Sequence, residues 1–301
     1  MKVFLSVAII GLVITLSGSW IIASRLTEPT PSVIDKLPLD MNITEVTFDD
    51  VSGWFIGSSS NQKCVLLMHA IRSNRLSMIN RANFLLEEGY SLLLIDLQAH
   101  GESAGDRITF GLRESVSAHR AVDYLKAKQN CHEIVSLGTS LGGAASLLGT
   151  KPLEVDAYIV EAVYSSIEQA VYNRVAMQLG DIAATVLAPM LYLQIPLRLD
   201  IPLDSLQPKE AIKNINAPIL IIAGAKDKHT RLRESKQLYN NAPHPKQMWI
   251  IDDAAHVDFY NFSQEKYEHV VLDFLGKHLA SQITEDNHSR LRKNSKVISS
   301  T

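Results

Sequence analysis

The run Glu133–Leu148, EIVSLGTSLGGAASLL, decides the fold. Glu133–Gly138 is short, apolar and β-branched, the pattern of a strand covered on both faces. Leu141–Leu148 reads as a helix. Between them stands Gly138-Thr139-Ser140-Leu141-Gly142, with the spacing G-x-S-x-G. A strand that turns directly into a helix crowds its own backbone, and glycines on either side relieve the crowding. A serine at that turn is presented at the carboxyl edge of the sheet as a nucleophile. A Gly-Ser helix start without chemistry is the plainer reading, and the strand before and helix after argue against it.

Outward from this turn the chain alternates. Val65–Ala70, Ser91–Asp96, Ala157–Glu161, Pro218–Ala223 and Gln247–Ile251 read as further strands, after an opening hairpin at Thr44–Phe48 and Gly53–Ile56. Ser77–Glu88, Arg113–Lys128, Arg231–Asn240 and Gln264–Ala280 read as helices. The alternation predicts an α/β fold, a mostly parallel central sheet flanked by helices. One interval, Tyr164–Asn214, is too long for a plain connection. Ile167–Gly180 is helical, and an apolar segment broken by Pro189, Pro196 and Pro202 follows. This predicts a helical cap insertion at about residues 165–214 over the strand ends. Its apolar residues between Met177 and Leu203, Leu191 and Leu193 among them, either pack onto the sheet or line an acyl pocket.

A serine nucleophile needs a base, and the base an orienting acid. Both follow in the order Ser, Asp, His, each just past a strand: Asp227 in ILIIAGAKD and His256 in MWIIDDAAH. Rival residues have plainer roles. Glu161 ends an earlier strand and is the alternative acid. Asp252 and Asp253 sit in the turn before His256, and His229 is placed to shape the acid loop. Two backbone N–H groups complete the constellation as an oxyanion hole, Leu141 after the nucleophile and Ile71 in the loop His69-Ala70-Ile71-Arg72. His69 itself is expected beneath that loop.

Five motifs, LLMHAIRSNR (Leu66–Arg75), DLQAHGES (Asp96–Ser103), GTSLGG (Gly138–Gly143), AGAKDKHT (Ala223–Thr230) and AAHVDF (Ala254–Phe259), make the chain from about residue 42 to 280 resemble the α/β-hydrolase superfamily. It is similar to membrane-anchored or secreted bacterial serine hydrolases. The resemblance implies the α/β-hydrolase fold and acyl transfer to water, with Ser140, Asp227 and His256 as catalytic residues. It implies a small-molecule acyl substrate, a carboxylic ester before a thioester or peptide, and no cofactor or metal. His100 resembles a structural residue of the family. Where the family commonly has His-Gly, this chain has His69-Ala70, and alanine lacks glycine's freedom at positive φ. The alternative of a different class is a non-catalytic protein of the same fold that binds a ligand or partner. A binding module has no use for the base.

The rest of the chain sets the surroundings. Val3–Ala23 carries no charge between Lys2 and Arg25. About 20 helical residues span the roughly 30 Å of a bilayer core. Residues 1–26 are therefore expected to be a signal-anchor with the enzyme outside the cytoplasm, or a signal peptide if cleaved after Ser17-Gly18-Ser19. Residues 27–41 form a Pro-rich linker, 42–281 the hydrolase domain, and 282–301 a polar tail. The 301 residues carry 29 Lys and Arg against 32 Asp and Glu, a net charge of -3, which disfavours a nucleic-acid partner. Hydrophobic residues make up 46%, which excludes a disordered chain. The oligomeric state is left open. Two cysteines, Cys64 and Cys131, flank the starts of two strands that the inferred fold makes neighbours, so they are either bridged or two small apolar strand-end residues.

Overall fold

The computed structural model describes residue 6 and residues 17–34, 42–58 and 62–279. Most of the apolar run before residue 17 and the tail from residue 280 lie outside the described residues. Strands β1 (Thr30–Pro31), β2 (Thr44–Phe48), β3 (Val51–Ile56), β4 (Lys63–Met68), β5 (Ser91–Ile95), β6 (His100–Gly101), β7 (Glu133–Thr139), β8 (Ala157–Glu161), β9 (Ile219–Gly224) and β10 (Lys246–Ile251) alternate with helices. The helices are α1 (residues 17–27), α2 (Ile79–Glu87), α3 (Glu114–Gln129), α4 (Leu141–Leu147), α5 (Ile167–Tyr192), α6 (Ile195–Leu199), α7 (Pro208–Ala211), α8 (Leu232–Asn241), α9 (Phe259–Phe262) and α10 (Gln264–His278).

Eight strands form one sheet in the order β10-β9-β8-β7-β4-β5-β3-β2. All neighbours from β10 to β5 are parallel, and β3 and β2 join antiparallel. Continuous apolar strands such as LLLI of β5 are buried on both faces because each face is covered. In β4, Leu66 and Met68 join a core with Ala118, Ala121, Val122 and Leu125 of α3. Val65 and Leu67, one residue out of phase, join a second core with Leu85 of α2 and Val271, Phe274 and Leu275 of α10. Each fully buried Leu or Phe contributes about 1.5–3 kcal/mol, so two such layers stabilise the sheet from both sides.

Register brings the functional ends level. Met68 pairs with Gly138, and Thr139 with Glu161. The same pairing holds the other ends together: Cys64 lies opposite Ile134, and Cys64 and Cys131 form a disulfide with Cα atoms 5.9 Å apart.

One segment departs from expectation. The first cap helix ends at Gly180 (φ 84°, ψ 165°), as expected, so α5 is two helical segments joined there; the second is not broken by proline and runs through Pro189 to Tyr192. Pro189 removes one helical hydrogen bond, but the ladder closes again immediately, with Leu193 N–H donating to the Pro189 carbonyl at 3.1 Å. Among the described residues, the stretch long and apolar enough to cross a membrane is this internal one, Ile167–Leu199. The spacer after α1 is extended, as expected of a Pro-rich stretch, and it is bound to the body. Thr30 and Pro31 pair in parallel with His100 and Gly101, and Ile34 N–H donates to Glu102 Oε1 at 3.1 Å.

Candidate active site

Ser140 lies between β7 and α4 at φ 51°, ψ -103°, a conformation that costs a non-glycine residue about 1–3 kcal/mol. The surroundings enforce it. Ser140 N–H donates to the Glu161 carbonyl at 2.7 Å, and Gly142 N–H to the His69 carbonyl at 3.1 Å. The flanking glycines are required by space: a Cβ on Gly142 would stand 2.3 Å from the Met68 carbonyl oxygen, and one on Gly138 2.4 Å from the Gly142 carbonyl carbon. The helix start can therefore sit directly on β4.

Asp227 and His256 meet. His256 Nδ1 lies 2.7 Å from Asp227 Oδ2, and the other carboxylate oxygen accepts the N–H groups of His229 (2.7 Å) and Thr230 (2.9 Å). These bonds fix the buried carboxylate in one orientation. Thr230 Oγ1 also donates to the Ala162 carbonyl at 3.1 Å, one residue beyond the carbonyl that holds Ser140. The acid loop and the serine turn are thus referenced to the same strand end, that of β8. His229 does more than shape the loop: its ring stacks on His256, centroids 4.7 Å apart. Burial, and then the neighbouring His256, lower the His229 pKa.

Glu161 is fully buried and committed elsewhere. Arg81 reaches both of its oxygens, at 3.0 and 2.7 Å, Thr139 Oγ1 donates at 3.1 Å, and the Tyr267 hydroxyl donates as well. Asp253 pairs with Lys226 at the surface.

In the loop after β4, the positive φ falls on Arg72 (58°), so Ala70 needs none of glycine's freedom. His69 lies beneath, its Nδ1 2.7 Å from the Ala70 carbonyl and its Nε2 accepting Leu97 N–H at 3.0 Å. Those two bonds assign the proton to Nδ1. Burial lowers its pKa to about 3, so the ring is neutral. His100 packs against it, ring centroids 5.1 Å apart.

Ile71, Ser140 and Leu141 all line one cavity of about 640 Å³. Its walls are Ile167, Val171, Leu187 and Leu191 of α5 and, unexpectedly, Ile22 and Leu26 of α1. Leu191 thus faces the cavity, whereas Leu193 is exposed beyond the end of α5. Among the described lining residues, Arg72 and Arg174 carry charge and none is a carboxylate. Sequence reading missed Arg174, the His229 stack and the α1 wall. Each depends on contacts across the chain, and none has a local motif. Among the described residues, no group of three or more His, Cys, Asp or Glu is arranged to hold a metal ion.

No family model matches the chain. It is 23% identical over 230 residues to the uncharacterized protein YqkD of Bacillus subtilis, covering 75% of each chain. It is 24% identical over 260 residues to the uncharacterized protein YfhR of Escherichia coli K12, covering 82% of this chain and 84% of the relative. Among solved structures, the esterase Pf2001 of Pyrococcus furiosus superposes with a TM-score of 0.69 at 24% identity, over 85% of this chain and 99% of the esterase. Likeness at that identity speaks for the fold alone. The chain has the α/β-hydrolase fold.

Proposed function

We propose that this chain is a serine hydrolase that cleaves a carboxylic ester through an acyl-enzyme. One observation carries the reading: a strained serine after β7 opens into an apolar cavity, while at the same edge of the sheet a buried carboxylate after β9 holds a histidine after β10 by Nδ1. With Nδ1–H directed to Asp227, Nε2 is the basic nitrogen. Ser140 Oγ attacks the ester carbonyl as His256 Nε2 takes its proton. The developing oxyanion is met by the N–H groups of Leu141 and Ile71. Collapse expels the alcohol, which receives the proton from His256 and leaves the acyl group on Ser140. Water, deprotonated by His256, attacks the acyl-enzyme and restores the serine. Asp227 orients the imidazole and stabilises its cation throughout. The esterase name of the Pyrococcus structure and the apolar cavity both favour an ester with a hydrocarbon acyl chain.

The test is covalent labelling of the full chain with a fluorophosphonate probe. Labelling that disappears in Ser140→Ala, together with ester turnover in the parent, supports the assignment. An unlabelled, inactive parent would place the chain among non-catalytic binding proteins of this fold, and labelling that persists in the variant would move the nucleophile elsewhere.

A further inference from the structure

The cap carries an apolar surface that the protein itself does not cover. Within Ile167–Leu199 the most apolar 18-residue window has a mean hydropathy of 1.5, yet only 22% of it is buried. In the second segment of α5, Ala184 and Ala188 pack inward. The opposite side of that segment presents Ile182 (89% exposed) and Val186, and Leu193 and Leu197 (82%) continue it around α6. No charged residue occurs from Ile182 to Leu197. An apolar surface of this kind is rare on a protein wholly in water and marks a contact with protein or membrane.

What covers it follows from α1. The first turns of this helix meet the cap: Gln194 Nε2 donates to Ser19 Oγ at 2.8 Å, and the Arg198 guanidinium lies 3.8 Å over the Trp20 ring while donating to the Trp20 carbonyl and Ser24 Oγ, each at 2.6 Å. Trp20 and Ile21, next to these contacts, are exposed as well. The described end of the uncharged run, residues 17–23, therefore meets the body at the cap. The cavity over Ser140 is walled by these same two elements. A helix with one face on protein and an uncharged apolar face outward, beside a tryptophan and an arginine, has the composition of an interfacial element.

We propose that α1, α5 and α6 form one face that seats in the surface of a lipid bilayer, and that the cavity over Ser140 receives its acyl substrate laterally from that bilayer. The second half rests on the hydrolase reading above; the first does not. Trp54 and Trp249 are buried, so a surface tryptophan can report lipid contact. In full-length Trp20→Phe protein reconstituted into phosphatidylcholine vesicles with brominated acyl chains, Leu197→Trp and Ile182→Trp are expected to lose at least half of their added emission. Val116→Trp, at an exposed position of α3, should lose almost none. Quenching equal to that at Val116 at both cap positions overturns the docking. If Leu197→Glu also turns a dimer into a monomer in sedimentation, a second copy is the occupant. The substrate half is read with Ile182→Glu/Leu197→Glu, whose side chains lie outside the cavity. Hydrolysis of a long-chain ester dispersed in vesicles should fall tenfold or more, with p-nitrophenyl acetate within twofold. Equal rates on the vesicle ester in parent and variant overturn lateral delivery. A parent inactive on both esters refutes the hydrolase reading while the quenching still decides the docking.

Discussion

The sheet and the cap use apolar residues in opposite ways. In β4, β5 and β7 they are enclosed, and every strand end is held to its neighbour by backbone register. In α5 and α6 a large share faces outward, and the elements are joined to the rest by a few side-chain bonds. Under the proposed hydrolase reading, the sheet holds the reacting groups to fixed positions, as chemistry requires, and the cap shapes what reaches them. Substitutions in the body should damage all substrates alike, and substitutions in the cap should discriminate between substrates.

The sharpest test of that contrast lies at the strand ends. Ser140→Ala and His256→Ala should lower kcat by about 10⁴–10⁶ on every ester, with unchanged thermal unfolding. Asp227→Asn should cost about 10⁴, as expected when the imidazole loses its orienting acceptor. Glu161→Gln, which leaves Arg81 under-compensated, should instead lower stability by about 3–5 kcal/mol and spare much of the turnover of the folded enzyme. The reverse ranking of the two acids in kcat would move the orienting role to Glu161.

Next in size is the covalent tie at the other end of the same strands. The Cys64–Cys131 bridge joins residues 67 apart. Its loss in Cys64→Ser should cost about 4 kcal/mol in the chain-entropy model, read as a lower urea midpoint. Chain-length preference should not change. Two thiols blocked by alkylation under non-reducing conditions would remove the bridge from the account.

In the cap, kcat/KM on p-nitrophenyl esters should climb with acyl length by up to about fourfold per methylene until the cavity is full. Leu191→Asp should flatten the climb and leave acetate nearly intact. Leu193→Asp, outside the cavity, should not flatten it. Equal damage to all esters by Leu191→Asp would erase the distinction between body and cap. Removal of residues 1–26 should also flatten the climb, because Ile22 and Leu26 are part of the wall.

The smallest effect concerns acid. His69 is held neutral, with its pKa lowered by burial from 6.5 to about 3. An unfolded chain binds this proton below about pH 6.5 and the native chain does not, so stability is complete above that pH and falls as pH drops toward 3. The slope from this residue is at most about 1.4 kcal/mol per pH unit. His69→Gln should flatten the dependence of the urea midpoint between pH 6.5 and 4.5. An unchanged slope would mean that other groups carry it.

The strands, the helices around them, the serine turn and the Asp227–His256 pair were legible in the sequence. Each has a local cause: apolar periodicity sets the element, and glycine permits the turn at Gly138 and Gly142. The strand order then follows from the fold that these elements specify. Three features required the tertiary structure. Glu161 and Asp227 end neighbouring strands and look alike in sequence; only the position of Arg81, 80 residues before Glu161 in the chain, separates a structural carboxylate from one left to a histidine. The bond between Cys64 and Cys131 is decided by the distance between two strand starts. The α1 wall of the cavity arises from contacts between residues about 175 apart, such as Ser19 with Gln194. Short-range propensity has no information on such pairs, because their energy exists only once the chain has brought both partners to one place.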